Sequence, residues 1–255
     1  MAGAVARAVD FLLPAGRVSC RAWMPRYDRR NTAPICAGCR SRLRPPSWPR
    51  CLRCHAPVGR MSVYAGGEED TDCHECRSWP SALSFARAPY VLRGPASNLV
   101  HALKYEGWHE VAGFMAERAA ESVSRYLPEA PGLVLPVPTT VTRERRRGYN
   151  QAALLARGVA AVIGTRIVEV LTREDERRSQ IELEPTERRT NVRGVFTAAE
   201  TISEVRDRRV LLVDDVLTTG ATACEAASVL MECGARSVSL ITFARALPEA
   251  TSALS

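Results

Sequence analysis

Residues 210–223 read VLLVDDVLTTGATA, and this stretch decides the fold that we expect for the chain. Four apolar residues predict a buried strand, and Asp214 and Asp215 follow directly at its carboxyl end. Threonines around one glycine then lead into a helical pattern at 219–235. A turn of small residues before a helix exposes backbone N–H groups that suit an anion. The stretch therefore predicts one ligand site with two carboxylates on one side and an anion cradle on the other.

From about residue 85 onward, strand-like and helix-like segments alternate. We expect strands at 84–92 (or a piece of a hairpin there), 132–138, 165–173, 208–215 and 236–245, and helices at 97–105, 109–127, 150–164 and 219–235. Ser97 is expected to cap its helix, and Gly164 to end another. This alternation predicts an α/β fold with a parallel sheet and helices on both faces. Open sheets of this class bind ligands at the carboxyl ends of their strands, where Asp214 and Asp215 lie.

The residues after the acid pair indicate a sugar phosphate as the ligand. Backbone N–H groups and threonine hydroxyls suit a phosphate, while two carboxylates suit ribose hydroxyls or a divalent cation. The chain has neither a G-x-x-x-x-G-K-[ST] loop nor a G-x-G-x-x-G after a strand, which argues against a P-loop and a dinucleotide site. A phospho-acceptor receiver domain would have its acids near the start of the domain and would leave the Thr-Thr-Gly turn unexplained.

Seven of the nine cysteines lie early in the chain, and four of them form two C-x-x-C pairs. Cys51 and Cys54 are separated from Cys73 and Cys76 by 18 residues, which lets two knuckles offer four thiolates to one tetrahedral Zn²⁺. Four thiolates leave no open position, so this zinc would be structural. The alternative is a redox-active or incidental cluster.

A second cysteine set is incomplete. Cys20, Cys36 and Cys39 offer three thiolates, but Trp23 stands where a fourth cysteine would complete the pattern. The candidates for a fourth ligand are Asp28, His55 and His74. It stays open whether this set holds a second zinc or has lost its metal.

Length and charge limit the remaining classes of protein. A chain of 255 residues suits one full domain and a smaller one. Residues 1–80 contain 13 Arg and 7 acidic residues, so most of the net charge of +7 lies there and favours an anionic or nucleic-acid partner. The alternative is a compositional bias, because the chain has 34 Arg and a single lysine, Lys104. Short apolar runs and the lack of a signal-peptide cleavage site predict a cytoplasmic protein without membrane insertion.

Three tryptophans lie in or beside this basic region, namely Trp23, Trp48 and Trp79. Aromatic rings next to arginines could stack on single-stranded bases. The alternative, which we favour, is that these rings pack on the zinc knuckles.

Residues 210–222 resemble the 5-phosphoribosyl 1-diphosphate (PRPP) motif of type I phosphoribosyltransferases, with its apolar run, two acids, two apolar residues and Thr-Thr-Gly-x-Thr. Over nearly its whole length the chain also resembles the ComF family, which includes competence protein F and GntX. The similar segments are DFLLPAGRVSC (10–20), CLRCHAP (51–57), LKYEG (103–107), LPVPTTVTRERRRGYNQA (135–152) and RRSQIELEPTERRTNVRGVF (177–196). The resemblance implies a zinc-ribbon-like, Cys-rich module at 1–82 and a type I phosphoribosyltransferase-like domain, a parallel sheet flanked by helices, at 83–255.

The same resemblance implies roles for individual residues. As catalytic residues, Asp214 and Asp215 would hold the ribose hydroxyls, directly or through Mg²⁺. The PRPP-binding residues would be Asp214, Asp215, Val216, Thr218, Thr219, Gly220, Ala221 and Thr222. The diphosphate loop would be Lys104, Arg143, Arg147, Gly148 and Asn150, unless the basic run is a solvated turn. The polar segment 174–194 would form a lid with Arg178, Gln180, Arg188 and Asn191, unless it is a disordered loop.

Three functions are compatible with these residues. The first is a phosphoribosyltransferase that uses Mg-PRPP, releases diphosphate and has an unknown acceptor. The second is a protein that binds single-stranded DNA for transformation or repair without transferring anything, and the family implies links to DNA uptake and to a helicase-like partner. The third is a regulator that senses PRPP. His101 and His109 are expected to be surface or capping residues.

Overall fold

The computed structural model describes residues 18–20, 35–58, 73–126, 129–174 and 195–247. The strands are β1 (Leu83–Arg87), β2 (Tyr90–Val91), β3 (Leu133–Pro136), β4 (Leu171–Arg173), β5 (Phe196–Ala198), β6 (Arg209–Leu217) and β7 (Ser237–Arg245). The helices are α1 (Ala37–Arg40), α2 (Pro95–Tyr105), α3 (Val111–Tyr126), α4 (Val141–Arg147), α5 (Gln151–Ile163) and α6 (Ala221–Glu232), with a 3-10 helix at Glu200–Val205. Within these ranges, no helix combines the length and the apolar character that crossing a membrane requires.

The main sheet is parallel. Its strand order is β1-β7-β6-β3, and β2 continues the pairing of β1 along β7. The run 210–213 in β6 is buried throughout, because a central parallel strand is covered on both faces and takes leucine and valine side chains there. The predicted fold class, a parallel α/β sheet flanked by helices, is confirmed.

Two layers cover this sheet. On one face, α2, α3 and α5 share an apolar cluster with Leu211 and Val213. On the other face, α6 shares a cluster with Val210 and Leu212, and the cysteines of both C-x-x-C pairs belong to the same cluster. The cysteine-rich segment is therefore packed onto the sheet and shares its core.

Two helices differ from the expectations. Helix α2 begins at Pro95 rather than after a Ser97 cap, because proline fits the first helical turn, where an N–H group has no intrahelical partner. Helix α4 lies where a basic turn was the alternative to a diphosphate loop. Thr140 caps it by accepting a hydrogen bond from the Arg143 N–H group at 3.3 Å, and Gly148 ends it with φ of +83°. The arginine-rich sequence has no apolar periodicity that could reveal this helix.

Two strand predictions are also corrected. The stretch 84–92 forms β1 and β2, which both run parallel to β7, so it is not a hairpin. In the stretch 165–173, a regular strand covers the last three residues as β4, and Ile167 makes an isolated bridge to Val134. Strand β4 pairs antiparallel with β5 in a separate two-stranded sheet, because the chain turns away from the main sheet here.

The segment between β4 and β5 contains the predicted lid. Residues 175–194 lie outside the described residues, and so do the lid residues Arg178, Gln180, Arg188 and Asn191.

Candidate functional site

The acid pair lies near the carboxyl end of β6, two residues before this strand ends at Leu217. The Asp214 side chain is half-buried, whereas Asp215 is only 2% exposed. The Asp215 N–H group donates a hydrogen bond to Asp214 Oδ1 at 2.8 Å, which fixes the first carboxylate against the backbone. Both residues line the same cavity.

The surroundings of these acids oppose a second negative charge. Burial raises the pKa of the Asp214 carboxyl to about 8, and the neighbouring charge of Asp215 adds to the effect. Lys104 acts in the opposite direction on this pKa. Hydroxyl donors or a cation at Asp214 would favour its ionised form, so the site is suited to a ligand that supplies them.

Lys104 lies at the last turn of α2 and reaches the acid pair from the neighbouring layer. Its Nζ atom is 2.7 Å from Asp215 Oδ2, and the two side chains are 20% and 3% exposed. The sequence-based hypothesis assigns Lys104 to a diphosphate, while in the structure its ammonium group neutralises a nearly buried carboxylate. A ligand at the acid pair would therefore meet an ion pair that is already formed.

The threonine turn follows the acids and leads into α6. Thr218 and Thr219 are exposed, and Gly220 adopts φ of +81°, a conformation that favours glycine. The Thr219 hydroxyl accepts a hydrogen bond from the Ala221 N–H group at 3.3 Å. The twelve-residue helix α6 begins here, so its first N–H groups and the positive end of its dipole lie beside the turn.

Helix α4 supplies the cationic side of the site. Arg143 and Arg147 both line the cavity that holds the acid pair. The Arg147 guanidinium donates a hydrogen bond to Gln151 Oε1 at 2.8 Å and lies 5.3 Å from the ring centroid of Tyr105. These contacts hold one planar guanidinium in place, which suits the oxygens of a phosphate.

One cavity of about 410 Å³ joins these groups. This volume falls within the range of roughly 300–1,000 Å³ that is usual for small-molecule sites. The predicted residues that line it are Lys104, Arg143, Arg147, Asp214, Asp215, Val216, Thr218 and Thr222. Thr219, Gly220 and Ala221 form the turn next to this lining.

Two predicted diphosphate residues lie elsewhere. Gly148 and Asn150 line a neighbouring cavity of about 400 Å³. The Asn150 side chain caps α5, since its Oδ1 atom accepts a hydrogen bond from Ala152 N–H at 3.0 Å and its amide donates to the Val137 carbonyl at 3.3 Å. The structure thus uses Asn150 to fix the start of a helix.

Some lining residues carry no sequence signal. Tyr105, Gln151 and Arg173 line the cavity, and so does His101, whose side chain is 57% exposed, in keeping with the surface position expected for it. The centroid of the His101 ring lies 5.1 Å from that of the Tyr105 ring, one helical turn further along α2, and the two ring planes are tilted by 51°. An apolar helix pattern does not show which of its polar residues face a ligand, so this side of the cavity is visible in the structure alone.

The four cysteines of the C-x-x-C pairs lie together and are buried. The Sγ atoms of Cys51 and Cys76 are 3.6 Å apart, as are those of Cys54 and Cys73, and all four lie within 4.8 Å of one another. Four sulfurs at 2.3 Å from a tetrahedral ion would be about 3.8 Å apart. The cluster could therefore hold a metal ion.

The thiols of this cluster differ in acidity. A hydrogen bond from the neighbouring Cys54 thiol lowers the pKa of Cys51 to about 5, whereas burial raises the pKa of Cys76 to about 12. The N–H groups of Arg53 and Cys54 also donate to Cys51 Sγ, at 3.3 Å and 3.5 Å. A metal ion would displace the remaining thiol protons and balance the buried charge.

The second cysteine set comes together as three thiols. Cys20, Cys36 and Cys39 have ligand atoms within 4.8 Å of one another, and the first two sulfurs are 3.9 Å apart. Of the candidates for a fourth ligand, His55 is buried against Ala88 and Arg50, His74 is exposed, and Asp28 lies outside the described residues. Trp23, which stands in place of a cysteine, lies outside the described residues as well.

Two arginines fasten the four-cysteine cluster to the sheet. The buried Arg245 at the end of β7 donates a hydrogen bond to the Cys54 carbonyl and lies 3.5 Å from the Glu75 carboxylate. Arg53, between the first two cysteines, donates to four carbonyls. These carbonyls belong to Cys76, Trp79, Pro80 and Leu83, at 3.2, 3.2, 2.6 and 3.0 Å. These hydrogen bonds connect the cluster to the start of β1 and to the end of β7.

Comparison with known proteins gives the class of the molecule. The family pattern "Phosphoribosyl transferase domain" matches residues 119–251, which includes the acid pair and the threonine turn. The chain is similar to Competence protein F of Haemophilus influenzae, with 28% identity over 83% of this chain and 90% of that protein. It is also similar to DNA utilization protein YhgH of Escherichia coli K12, with 31% identity over 60% of this chain and 68% of that protein. The chain therefore belongs to the ComF family of proteins with a phosphoribosyl transferase domain.

A solved structure is similar as well. The purine phosphoribosyltransferase of Pyrococcus horikoshii matches with 18% identity, 52% coverage of this chain, 70% coverage of that chain and a TM-score of 0.33.

Proposed function

We propose that this chain binds Mg-PRPP and transfers its phosphoribosyl group to an acceptor, with release of diphosphate. The observation that carries the proposal is the single cavity in which Asp214, Thr218 and Arg147 meet. A ribose needs hydroxyl acceptors, a 5-phosphate needs an anion cradle, and a diphosphate needs cations, and the cavity has all three.

The cavity suggests a division of roles. Asp214 and Asp215 would accept hydrogen bonds from the two ribose hydroxyls or hold Mg²⁺. The turn from Thr218 to Thr222 would bind the 5-phosphate, with the hydroxyls and N–H groups donating. Arg143 and Arg147 would bind the diphosphate. Lys104 would exchange Asp215 for a diphosphate oxygen, since its flexible stem can carry the ammonium group over a short distance.

The reaction is a substitution at the anomeric carbon. The acceptor nucleophile forms a bond to this carbon, and the bond to the diphosphate oxygen breaks with its electron pair leaving on the diphosphate. Mg²⁺, when bound, would neutralise part of the charge on the leaving group. The arginines of α4 would stabilise the same charge, and the carboxylates at β6 would stabilise the positive charge on the ribose ring. The lid proposed for 174–194 would exclude water during this step.

The metals and the cellular role belong to the same proposal. We assign structural Zn²⁺ to the four-cysteine cluster, because four thiolates are typical of closed zinc sites. The names of two relatives, Competence protein F and DNA utilization protein YhgH, support a role in competence and in the use of DNA. A cytoplasmic location and a helicase-like competence protein as a partner are further parts of the proposal, and they rest on the family resemblance. We further propose that the cysteine-rich module ends near residue 82, just before β1.

Binding and turnover can be tested together. PRPP with Mg²⁺ should raise the melting temperature of the wild-type protein, and Asp214→Asn together with Asp215→Asn should abolish this shift. Glu232→Gln, an exposed acid at the end of α6, is the matched control and should keep it. A diphosphate-release assay across candidate bases and single-stranded DNA then identifies the acceptor. Absence of any PRPP-dependent shift in the wild-type protein would contradict the proposal.

A second candidate function is binding of single-stranded DNA. Trp48 is 69% exposed, and the Arg50 guanidinium lies 4.7 Å from its ring centroid. An exposed indole beside a guanidinium can stack on a base, with a contribution of about 1–3 kcal/mol. Trp48→Ala should then weaken binding of a labelled single strand, with a steep salt dependence and no effect on PRPP. If single strands bind and PRPP does not, the second function replaces the first.

A further inference from the structure

Trp79 connects the four-cysteine cluster to the threonine turn. It lies three residues after Cys76, is 8% exposed and donates a hydrogen bond from its indole Nε1 to the Thr219 carbonyl at 2.9 Å. The ring also fills the space under Gly220. A β-carbon at that glycine would lie 2.5 Å from Cζ2 and 2.7 Å from Cε2 of the indole.

The orientation of Trp79 depends on both cysteine knuckles. Its N–H group donates to the Cys76 carbonyl at 3.0 Å, within the second knuckle. Its carbonyl accepts a hydrogen bond from Arg53, which lies in the first knuckle and whose guanidinium is 5.9 Å from the indole ring centroid. The indole therefore keeps its position as long as the two knuckles keep their mutual geometry.

The contact with Thr219 has a consequence for the turn. In a planar trans peptide, the carbonyl and the N–H group of the same unit point in opposite directions. Because Trp79 holds the Thr219 carbonyl on its own side, the Gly220 N–H group points away from Trp79. Thr218 and Thr222 line the cavity, so the indole supports the turn from behind.

We infer that Trp79 is a positioning residue that aims the backbone of the threonine turn at a bound phosphate, and that metal occupancy of the four-cysteine cluster thereby regulates affinity for phosphorylated ligands. This inference rests on the proposed function, because it assumes that the turn binds the 5-phosphate of PRPP. A metal bound by the thiols would fix both knuckles, and the indole would transmit that order to the turn. Metal and PRPP would each strengthen the binding of the other.

The test compares two ligands that use different parts of the cavity. Ribose 5-phosphate contacts the turn, whereas inorganic diphosphate contacts the α4 side. Calorimetry with Trp79→Phe, which keeps an aromatic ring but loses the N–H donor, should give dissociation constants for PRPP and ribose 5-phosphate that are about tenfold higher. The constant for diphosphate should stay unchanged. The matched control is Trp108→Phe, which alters a half-buried tryptophan outside the cavity lining and should leave all three dissociation constants unchanged.

A second variant keeps the test decisive if Trp79→Phe lowers the metal content. Gly220→Ala acts from the side of the turn, far along the chain from the cysteines: its methyl group would meet the indole, and at φ of +81° it also strains the backbone of the turn. This variant should weaken the binding of ribose 5-phosphate at least as much as Trp79→Phe does, while the amount of Zn²⁺ bound per chain stays at the wild-type value. Removal of Zn²⁺ by a chelator should weaken ribose 5-phosphate binding in the wild-type protein, and do so less in Trp79→Phe, where the connection is already cut.

The outcomes separate the two proposals. If the wild-type protein binds PRPP, and both variants bind ribose 5-phosphate as tightly as the wild-type protein does, the inference is overturned and the proposed function stands. Equal losses for ribose 5-phosphate and diphosphate would indicate general loosening and also overturn it. If the wild-type protein binds none of the phosphorylated ligands, the proposed function fails and the inference fails with it.

Discussion

Replacement of Lys104 by methionine should destabilise the protein strongly, because it leaves a nearly buried carboxylate without its counter-ion. Lys104 Nζ lies 2.7 Å from Asp215 Oδ2, and the carboxylate side chain is 3% exposed. Methionine retains the length and the apolar stem of lysine, so the substitution removes the charge and keeps most of the packing. The perturbation therefore acts mainly on one ion pair.

The magnitude follows from the geometry. Two unit charges at this distance attract by about 6 kcal/mol at an effective dielectric constant of about 20, before desolvation is subtracted. Removal of one partner of a buried pair costs about 3–5 kcal/mol. Because the lysine is 20% exposed, water screens part of the attraction, and we expect a loss of about 3 kcal/mol. For a chain of this size, that loss lowers the melting temperature by roughly 6–12 °C.

The assay is a double-mutant cycle of thermal and urea unfolding with Lys104→Met, Asp215→Asn and the combination. The double variant should be more stable than Lys104→Met by about 2 kcal/mol, since asparagine removes the unpaired charge. The control is Arg236→Met, which removes an exposed cation directly before β7. It should shift the melting temperature by less than about 2 °C. A shift that small for Lys104→Met, or a coupling energy below about 0.5 kcal/mol, would refute this reasoning.

Three further predictions concern the acid pair, the helix packing and the metal. Asp214→Asn should stabilise the protein by on the order of 1–2 kcal/mol near pH 8 and by much less near pH 4. Folding raises the pKa of this half-buried carboxyl from 3.8 to about 8, so the cost of ionising it grows as the pH rises through that interval. Equal shifts of the melting temperature at both pH values would contradict this. Gly158→Ala should destabilise the protein by about 1–3 kcal/mol in urea unfolding, since its β-carbon would lie 2.5 Å from an alanine β-carbon on α3. Gly113→Ala, which has open space around it, should stabilise the protein by about 0.5–1 kcal/mol. The opposite order of stabilities would show that α3 and α5 do not pack this closely. Cys51→Ser should lower the bound metal measured by elemental analysis by one equivalent per chain, while Cys233→Ser should not; unchanged metal content in Cys51→Ser would remove the four-cysteine cluster as a metal site.

The central strand, the turn and the helix at 210–232 could be predicted because their signals are local. An apolar run, two acids and a glycine followed by apolar residues at helical spacing each specify the structure of their own neighbourhood. The two C-x-x-C pairs could be predicted for the same reason, because the spacing within a pair fixes the geometry of a knuckle. Those segments account for the fold class and for one side of the cavity.

The rest of the site depends on contacts between distant parts of the chain. The indole of Trp79 meets Thr219 across 140 residues, and no spacing rule connects the two. The short helix α4 has no apolar face, so its arginines gave no periodic signal. Lys104 stood out as the single lysine, but its partner Asp215 became visible when α2 was packed against β6.

The bond between Arg245 and the Cys54 carbonyl has a consequence for biosynthesis. The two residues are 191 positions apart, so Cys54 leaves the ribosome long before its partner strand exists. At a synthesis rate of about 5–20 residues per second, roughly 10–40 s pass between the synthesis of Cys54 and that of Arg245 in the last strand of the sheet. During translation, the first cysteine knuckle therefore lacks its contact with the sheet until β7 has been synthesised.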